Sequence, residues 1–149
     1  MLYYQRITLY HRQSSPSSDL SAASHPHAVI VDDEQSYLDL LGAVLAEHLS
    51  CPVATFVRPL DALEAIKELE IGIIVTDFYM PEINGVELLQ RAATLKPGVP
   101  AIMITGHADA LNPDERDRLT NLKAVLAKPF GVPLLADHIR KFWPESSRS

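Results

Sequence analysis

Five short apolar runs, at residues 28–31, 53–57, 71–76, 101–104 and 124–127, punctuate the chain, and every interval between them carries a helical stripe. Uninterrupted apolar runs of this kind suit strands buried on both faces, as in a parallel sheet. Between the first two runs, Tyr37, Leu38, Leu41, Val44, Leu45 and Leu49 follow the spacing of one helical face. Pro59 can open a second helix, since its missing N–H is unneeded in the first turn, and Leu60, Ala62, Leu63 and Ile66 continue its stripe. Residues 85–94 predict a third, with Val86, Leu88, Leu89 and Ala92 inward and Lys96-Pro97-Gly98 closing it. Asn112-Pro113 is an N-cap and first-turn signature for a short fourth helix with Leu119 and Leu122 inward, and residues 133–143 form the last. Strands alternating with helices predict an α/β fold: a doubly wound, five-stranded parallel sheet with helices on both faces.

The chain has 149 residues, 47% of them hydrophobic, enough for one domain of ordinary core size. Net charge is −6 without a Lys/Arg cluster, so direct nucleic-acid or anionic-membrane binding is not expected. The lone Cys51 is too little for an internal disulfide or a structural zinc site and reads as filler before a strand. No stretch approaches the roughly 18 apolar residues of a membrane span, and the N-terminus lacks a continuous apolar signal segment, which makes the cytoplasm the expected location.

Residues 11–27 are rich in Ser, Pro and His, and the extension 1–27 is expected to be disordered or weakly ordered and dispensable for the chemistry. Residues 1–10 alternate Tyr, Ile and Leu with polar groups and leave open a short strand, a helix, a partner motif or an upstream-start by-product. The expected domain is 28–143, followed by a polar tail, 144–149.

Chemistry-bearing residues sit at the ends of four of the five runs: Asp32 and Asp33 after the first, Asp77 after the third, Thr105 after the fourth and Lys128 after the fifth. In doubly wound sheets, ligands bind beyond the carboxyl ends of the strands, where the strand order reverses. Singly, each residue has a plain reading: an N-cap or loop aspartate, a strand-end hydroxyl, a solvated lysine. Jointly they supply what a phosphoryl group needs. Three carboxylates in one pocket repel one another unless a cation joins them, and Mg²⁺ favours carboxylate and water oxygens while keeping positions open for phosphate. Lys128 adds a mobile positive charge and Thr105 a hydroxyl donor. These are the parts for phosphoryl transfer to a carboxylate nucleophile, where positioning and charge neutralisation dominate.

The segments Val29-Ile30-Val31-Asp32-Asp33-Glu34, Val75-Thr76-Asp77-Phe78-Tyr79-Met80-Pro81-Glu82-Ile83-Asn84-Gly85, Ile104-Thr105-Gly106-His107 and Lys128-Pro129-Phe130 together resemble the response-regulator receiver domains of two-component signalling, over about residues 28–142. The resemblance implies a flavodoxin-like sheet with strand order 2-1-3-4-5 and Asp77 as the phosphoacceptor. It also implies metal held by Asp32, Asp33, Asp77 and the Tyr79 backbone carbonyl, Thr105 sensing the phosphoryl group, Lys128 neutralising it, and a cis peptide before Pro129. Two positions depart from the pattern. Val125 stands where receivers commonly carry Tyr or Phe, and Gly106 where alanine is frequent. Gly85 is expected at the start of the third helix because a side chain would crowd the loop, and Met80 and Pro81 are expected to shape the pocket floor.

The resulting expectation is a stand-alone, Mg²⁺-dependent receiver. It takes phosphate from a histidine kinase or phosphotransfer protein, catalyses only its own phosphorylation and dephosphorylation, and signals to a separate protein partner; a weak homodimer is compatible with this. The rival is a phosphorylation-independent interaction module on the same fold. An aspartate-nucleophile phosphatase would want a second acid two residues past the nucleophile, and Tyr79 stands there.

Overall fold

The computed structural model describes residues 8–10, 25–107 and 111–144. Its elements run β1 (Thr8–Tyr10), β2 (His27–Val31), α1 (Gln35–His48), β3 (Val53–Phe56), α2 (Pro59–Glu68), β4 (Ile71–Asp77), α3 (Gly85–Leu95), β5 (Ala101–Thr105), α4 (Pro113–Arg118), β6 (Leu122–Ala127) and α5 (Val132–Phe142). The sheet order is β1-β3-β2-β4-β5-β6. The last five strands are parallel and follow the order expected, with the chain reversing direction across the sheet at β2.

Among the described residues, a sixth strand joins the five parallel ones at the β3 edge. Thr8–Tyr10 pairs antiparallel with β3, Thr8 opposite Thr55 and Tyr10 opposite Val53, so this part of the N-terminal extension is ordered as a strand. The short-strand reading of residues 1–10 applies to these three. An alternation of polar and apolar groups is compatible with strand or helix, and only an available sheet edge settles it. Residues 25–27 also belong to the folded region, His27 opening β2. Residues 1–7, 11–24 and 145–149 lie outside the described residues.

Alternate residues of β2 divide the core. Ala28 and Ile30 face α1 and α5, where they meet Leu38, Leu41, Leu45, Leu135, Ala136 and Ile139. Val29 and Val31 face α2 and α3, among Ala62, Ile66, Leu88, Leu89 and Ala92. The strand is buried along its whole length, which explains its unbroken apolar sequence.

The helix starts follow the local signals. Asn84 accepts a hydrogen bond from the Glu87 N–H (2.9 Å) at the start of α3, and Asn112 forms a reciprocal capping box with Glu115 at α4. Helix α4 is shorter than expected. It stops at Arg118, Leu119 is its buried C-cap, and Leu122, expected on that helix, opens β6. Leu122 satisfies a helical stripe and a strand equally well, and pairing with Ala101 gives its backbone partners that a solvent-exposed helix end lacks.

Candidate functional site

Strand register builds the site. Val31 pairs with Thr76, so the next residues, Asp32 and Asp77, emerge side by side from adjacent strands. Asp77 itself pairs with Ile104, which puts Thr105 one residue further up the neighbouring strand. Thr105 pairs with Ala127, and the Lys128 N–H donates to the Thr105 carbonyl (2.8 Å). The four strand-end landmarks therefore share one sheet edge, at the point where the strand order reverses.

Lys128 Nζ lies 3.0 Å from Asp32 Oδ2 and 3.2 Å from Asp77 Oδ2. The remaining carboxylate oxygens take backbone donors: Asp32 Oδ1 accepts from the Glu34 N–H (2.9 Å) and Asp77 Oδ1 from the Phe78 N–H (2.7 Å). Asp32 is buried, Asp77 half-buried and Asp33 exposed at the rim. Burial raises the Asp77 carboxyl above its ordinary range, and the Asp32 charge adds to this, while the Lys128 ammonium opposes it. For Lys128, burial works against the charge, but the bonds and charges of Asp32 and Asp77 outweigh it and leave the ammonium more firmly protonated than usual.

Carboxylate oxygens of Asp32, Asp33 and Asp77 all lie within 4.8 Å of one another. With all three ionised, three negative charges against the single Lys128 ammonium leave a local charge of −2. A divalent cation balances that, and an all-oxygen donor set suits a hard ion such as Mg²⁺. The residues present fit the metal.

Thr105 is buried, and its hydroxyl is tied to the following loop, accepting from the His107 N–H (3.0 Å) and lying 3.2 Å from the His107 carbonyl. At the mouth, Tyr79 is 57% exposed, and its ring meets that of His107 edge to face at 5.7 Å. Gly85 opens α3 directly beneath the site: its N–H donates to the Phe78 carbonyl (2.8 Å), and a Cβ there would overlap the Asp77 carbonyl oxygen. The side chain that would crowd this loop is excluded for that reason. Met80 packs partly buried against the core, with the Thr76 hydroxyl 3.9 Å from its sulfur. The Lys128–Pro129 peptide is cis. Val125 packs half-buried in the α2–α3 cluster together with Leu119.

Two residues acquire a place here that the sequence reading had not assigned them. The Tyr37 ring lies 4.7 Å from Lys128 Nζ, although its spacing read only as helical core. Its position one turn into the helix that follows Asp32-Asp33 was the available signal. Arg58 donates to both carboxylate oxygens of Glu82 (3.4 and 3.0 Å), joining the loop after β3 to the loop after Asp77, and no local sequence pattern pairs residues from two loops. Glu82 adopts φ +76°, a left-handed conformation uncommon for a residue with a side chain.

A doubly wound sheet with an acidic cluster and a lysine at its reversal point defines a receiver-type class of signalling fold. The family model of the response regulator receiver domain matches residues 28–140, and the chain belongs to that family. It is 39% identical over 90 residues to the response regulator receiver protein CpdR of Brucella abortus, covering 60% of this chain and 73% of that one. It is 33% identical over 111 residues to a response regulator receiver protein of Anaeromyxobacter, covering 73% of this chain but only 45% of the relative. The crystal structure of a CheY-like receiver domain protein from Methanospirillum hungatei superposes with a TM-score of 0.71 at 27% identity, over 79% of this chain and 93% of that one. Receiver domains are signalling modules of two-component systems, not enzymes with a separate substrate. No described helix is long and apolar enough to cross a membrane.

Proposed function

We propose that the chain is a Mg²⁺-dependent receiver whose Asp77 accepts a phosphoryl group from a histidine kinase or phosphotransfer protein and whose phosphorylated state is read by a separate protein. One observation carries this reading: a single ammonium spans Asp32 and Asp77 within a cluster of three carboxylates, at the edge where a ligand of this fold binds. In the transfer, an Asp77 carboxylate oxygen attacks phosphorus. The new O–P bond forms as the donor's P–N or P–O bond breaks, and the electron pair departs with the imidazole, which takes up a proton, or with the carboxylate of an acyl phosphate. Asp32, Asp33, Asp77 and the Tyr79 carbonyl would hold Mg²⁺, which would supply charge neutralisation for the phosphoryl group.

Lys128 already stands beside the acceptor oxygen, and its bond to Asp77 can pass to a phosphoryl oxygen. Thr105 can offer its hydroxyl to the same group only by releasing the His107 backbone, which couples the chemistry to the loop leading to α4. With Val125 in place of a ring, the readout travels through that loop to the surface of α4, β6 and α5. In hydrolysis, a water oxygen attacks phosphorus, the electron pair returns to the Asp77 carboxylate, and the water's protons leave with phosphate and solvent.

Incubation with Mg²⁺ and acetyl phosphate, followed by intact mass, tests this. Wild type should gain one phosphoryl group, and neither chelator-treated protein nor Asp77→Asn should gain any. Labelling of Asp77→Asn at another residue removes the acceptor assignment. A wild type that takes up no phosphate favours a phosphorylation-independent interaction module.

A further inference from the structure

Among the described residues the Lys128 ammonium has three partners, Asp32, Asp77 and the Tyr37 ring, and the proposed chemistry consumes two of them. Once Asp77 carries a phosphoryl group, one of its oxygens is esterified and the Lys128 bond to it must move. Metal bound by Asp32 competes for the other partner. The third contact is the ring face of Tyr37, with Nζ 4.7 Å from its centroid, well inside the range in which a ring quadrupole attracts an ammonium. Tyr37 stands on the first turn of α1, immediately after the Asp32-Asp33 corner, and is half-buried against the α1–α5 core. A lysine is a point charge on a flexible four-carbon stem, so what surrounds its tip decides where it dwells.

We propose that Tyr37 is a positioning residue of the phosphoryl site, its ring holding the Lys128 ammonium over the acceptor while the bonds to Asp32 and Asp77 are exchanged for bonds to phosphate. The inference rests on the reading of Asp77 as acceptor. A ring face suits this task because it is neither a metal ligand nor a phosphoryl acceptor, so it persists unchanged through loading and hydrolysis. It also attracts without a directional hydrogen bond, which lets the ammonium slide between oxygens. A carboxylate in its place would compete with phosphate, and an aliphatic side chain would leave the tip to wander into solvent, since the Lys128 side chain is 25% exposed.

The test uses the full chain and the variants Tyr37→Phe, Tyr37→Leu and Tyr37→Met. The first readout needs neither metal nor phosphate: the Lys128 ε-methylene proton shift, assigned by its loss in Lys128→Arg, should be moved upfield by the ring in wild type and Tyr37→Phe, and should revert in Tyr37→Leu and Tyr37→Met. The second is the rate of acetyl phosphate labelling. It should fall roughly 3- to 30-fold in the Leu and Met variants and stay within about twofold of wild type in Tyr37→Phe, because the ring is retained. Should Tyr37→Leu melt early, Tyr37→Met carries the comparison. An unchanged Lys128 shift in a folded ring-less variant, wild-type labelling by it, or equal loss in Tyr37→Phe each overturns the proposal. Failure of the acceptor reading looks different: wild type itself then takes up no phosphate, whatever the Lys128 shift shows.

Discussion

Gly85 and Asp77 are locked together: the first residue of α3 lies so close beneath the Asp77 carbonyl that even a methyl group at position 85 would overlap the oxygen. Phe78 Cα and Met103 Cε, each 3.2 Å from the same point, close the other directions. Because the obstacle is backbone, it cannot swing aside. Gly85→Ala should therefore cost about 1–3 kcal/mol in a denaturant titration and also slow acetyl phosphate labelling, since Asp77, the proposed acceptor, must move. Wild-type stability and labelling together would show that the loop yields freely.

The paired rings of Tyr79 and His107 stand at the pocket mouth, where hydrolysis needs a water in line with the bond to phosphorus. Shielding by these rings should prolong the aspartyl phosphate. Tyr79→Ala and His107→Ala should each lose phosphate faster than wild type, by a factor of a few, when the labelled protein is freed of donor and followed by mass. Equal or slower loss in both would mean that the rings leave the water's path open.

At the opposite end of the sheet, a side chain at Gly72 would run into the Trp143 indole, whose Cζ3 is 2.7 Å from the would-be Cβ. Trp143 thus packs on bare backbone of β4. Gly72→Ala should displace the ring, red-shift the emission of the chain's single tryptophan, and destabilise the fold by about 1–3 kcal/mol. In a Trp143→Ala background the same change should cost much less. An additive double mutant would separate the two residues.

Cys51 supplies a pH dependence. Burial pushes its thiol from 9.0 up to about 11. The unfolded chain therefore releases this proton first as pH rises, so the stability contributed by the buried neutral thiol is complete below pH 9 and is lost between 9 and 11. The stability advantage of wild type over Cys51→Ala should shrink across that window, on the order of 2 kcal/mol at most. A constant difference would contradict it. Native alkylation at pH 8 should also run about a hundredfold slower than in denatured chain.

Periodicity by itself determined the parallel strands, the helices between them and the presence of Asp32, Asp33, Asp77, Thr105 and Lys128 at strand ends, because an element's apolar pattern records which of its faces are buried. That record is silent about neighbours. Lys128 meets Asp32 across 96 residues and Asp77 across 51 because β2, β4, β5 and β6 stand in that order, in a register where Val31 lies opposite Thr76. The ring of Tyr37 over Lys128, the indole of Trp143 on Gly72 and the pairing of Thr8–Tyr10 with β3 are likewise contacts between distant segments. Tertiary packing decided them, since a side chain's partner depends on where the sheet places the other element, and local spacing carries no such information.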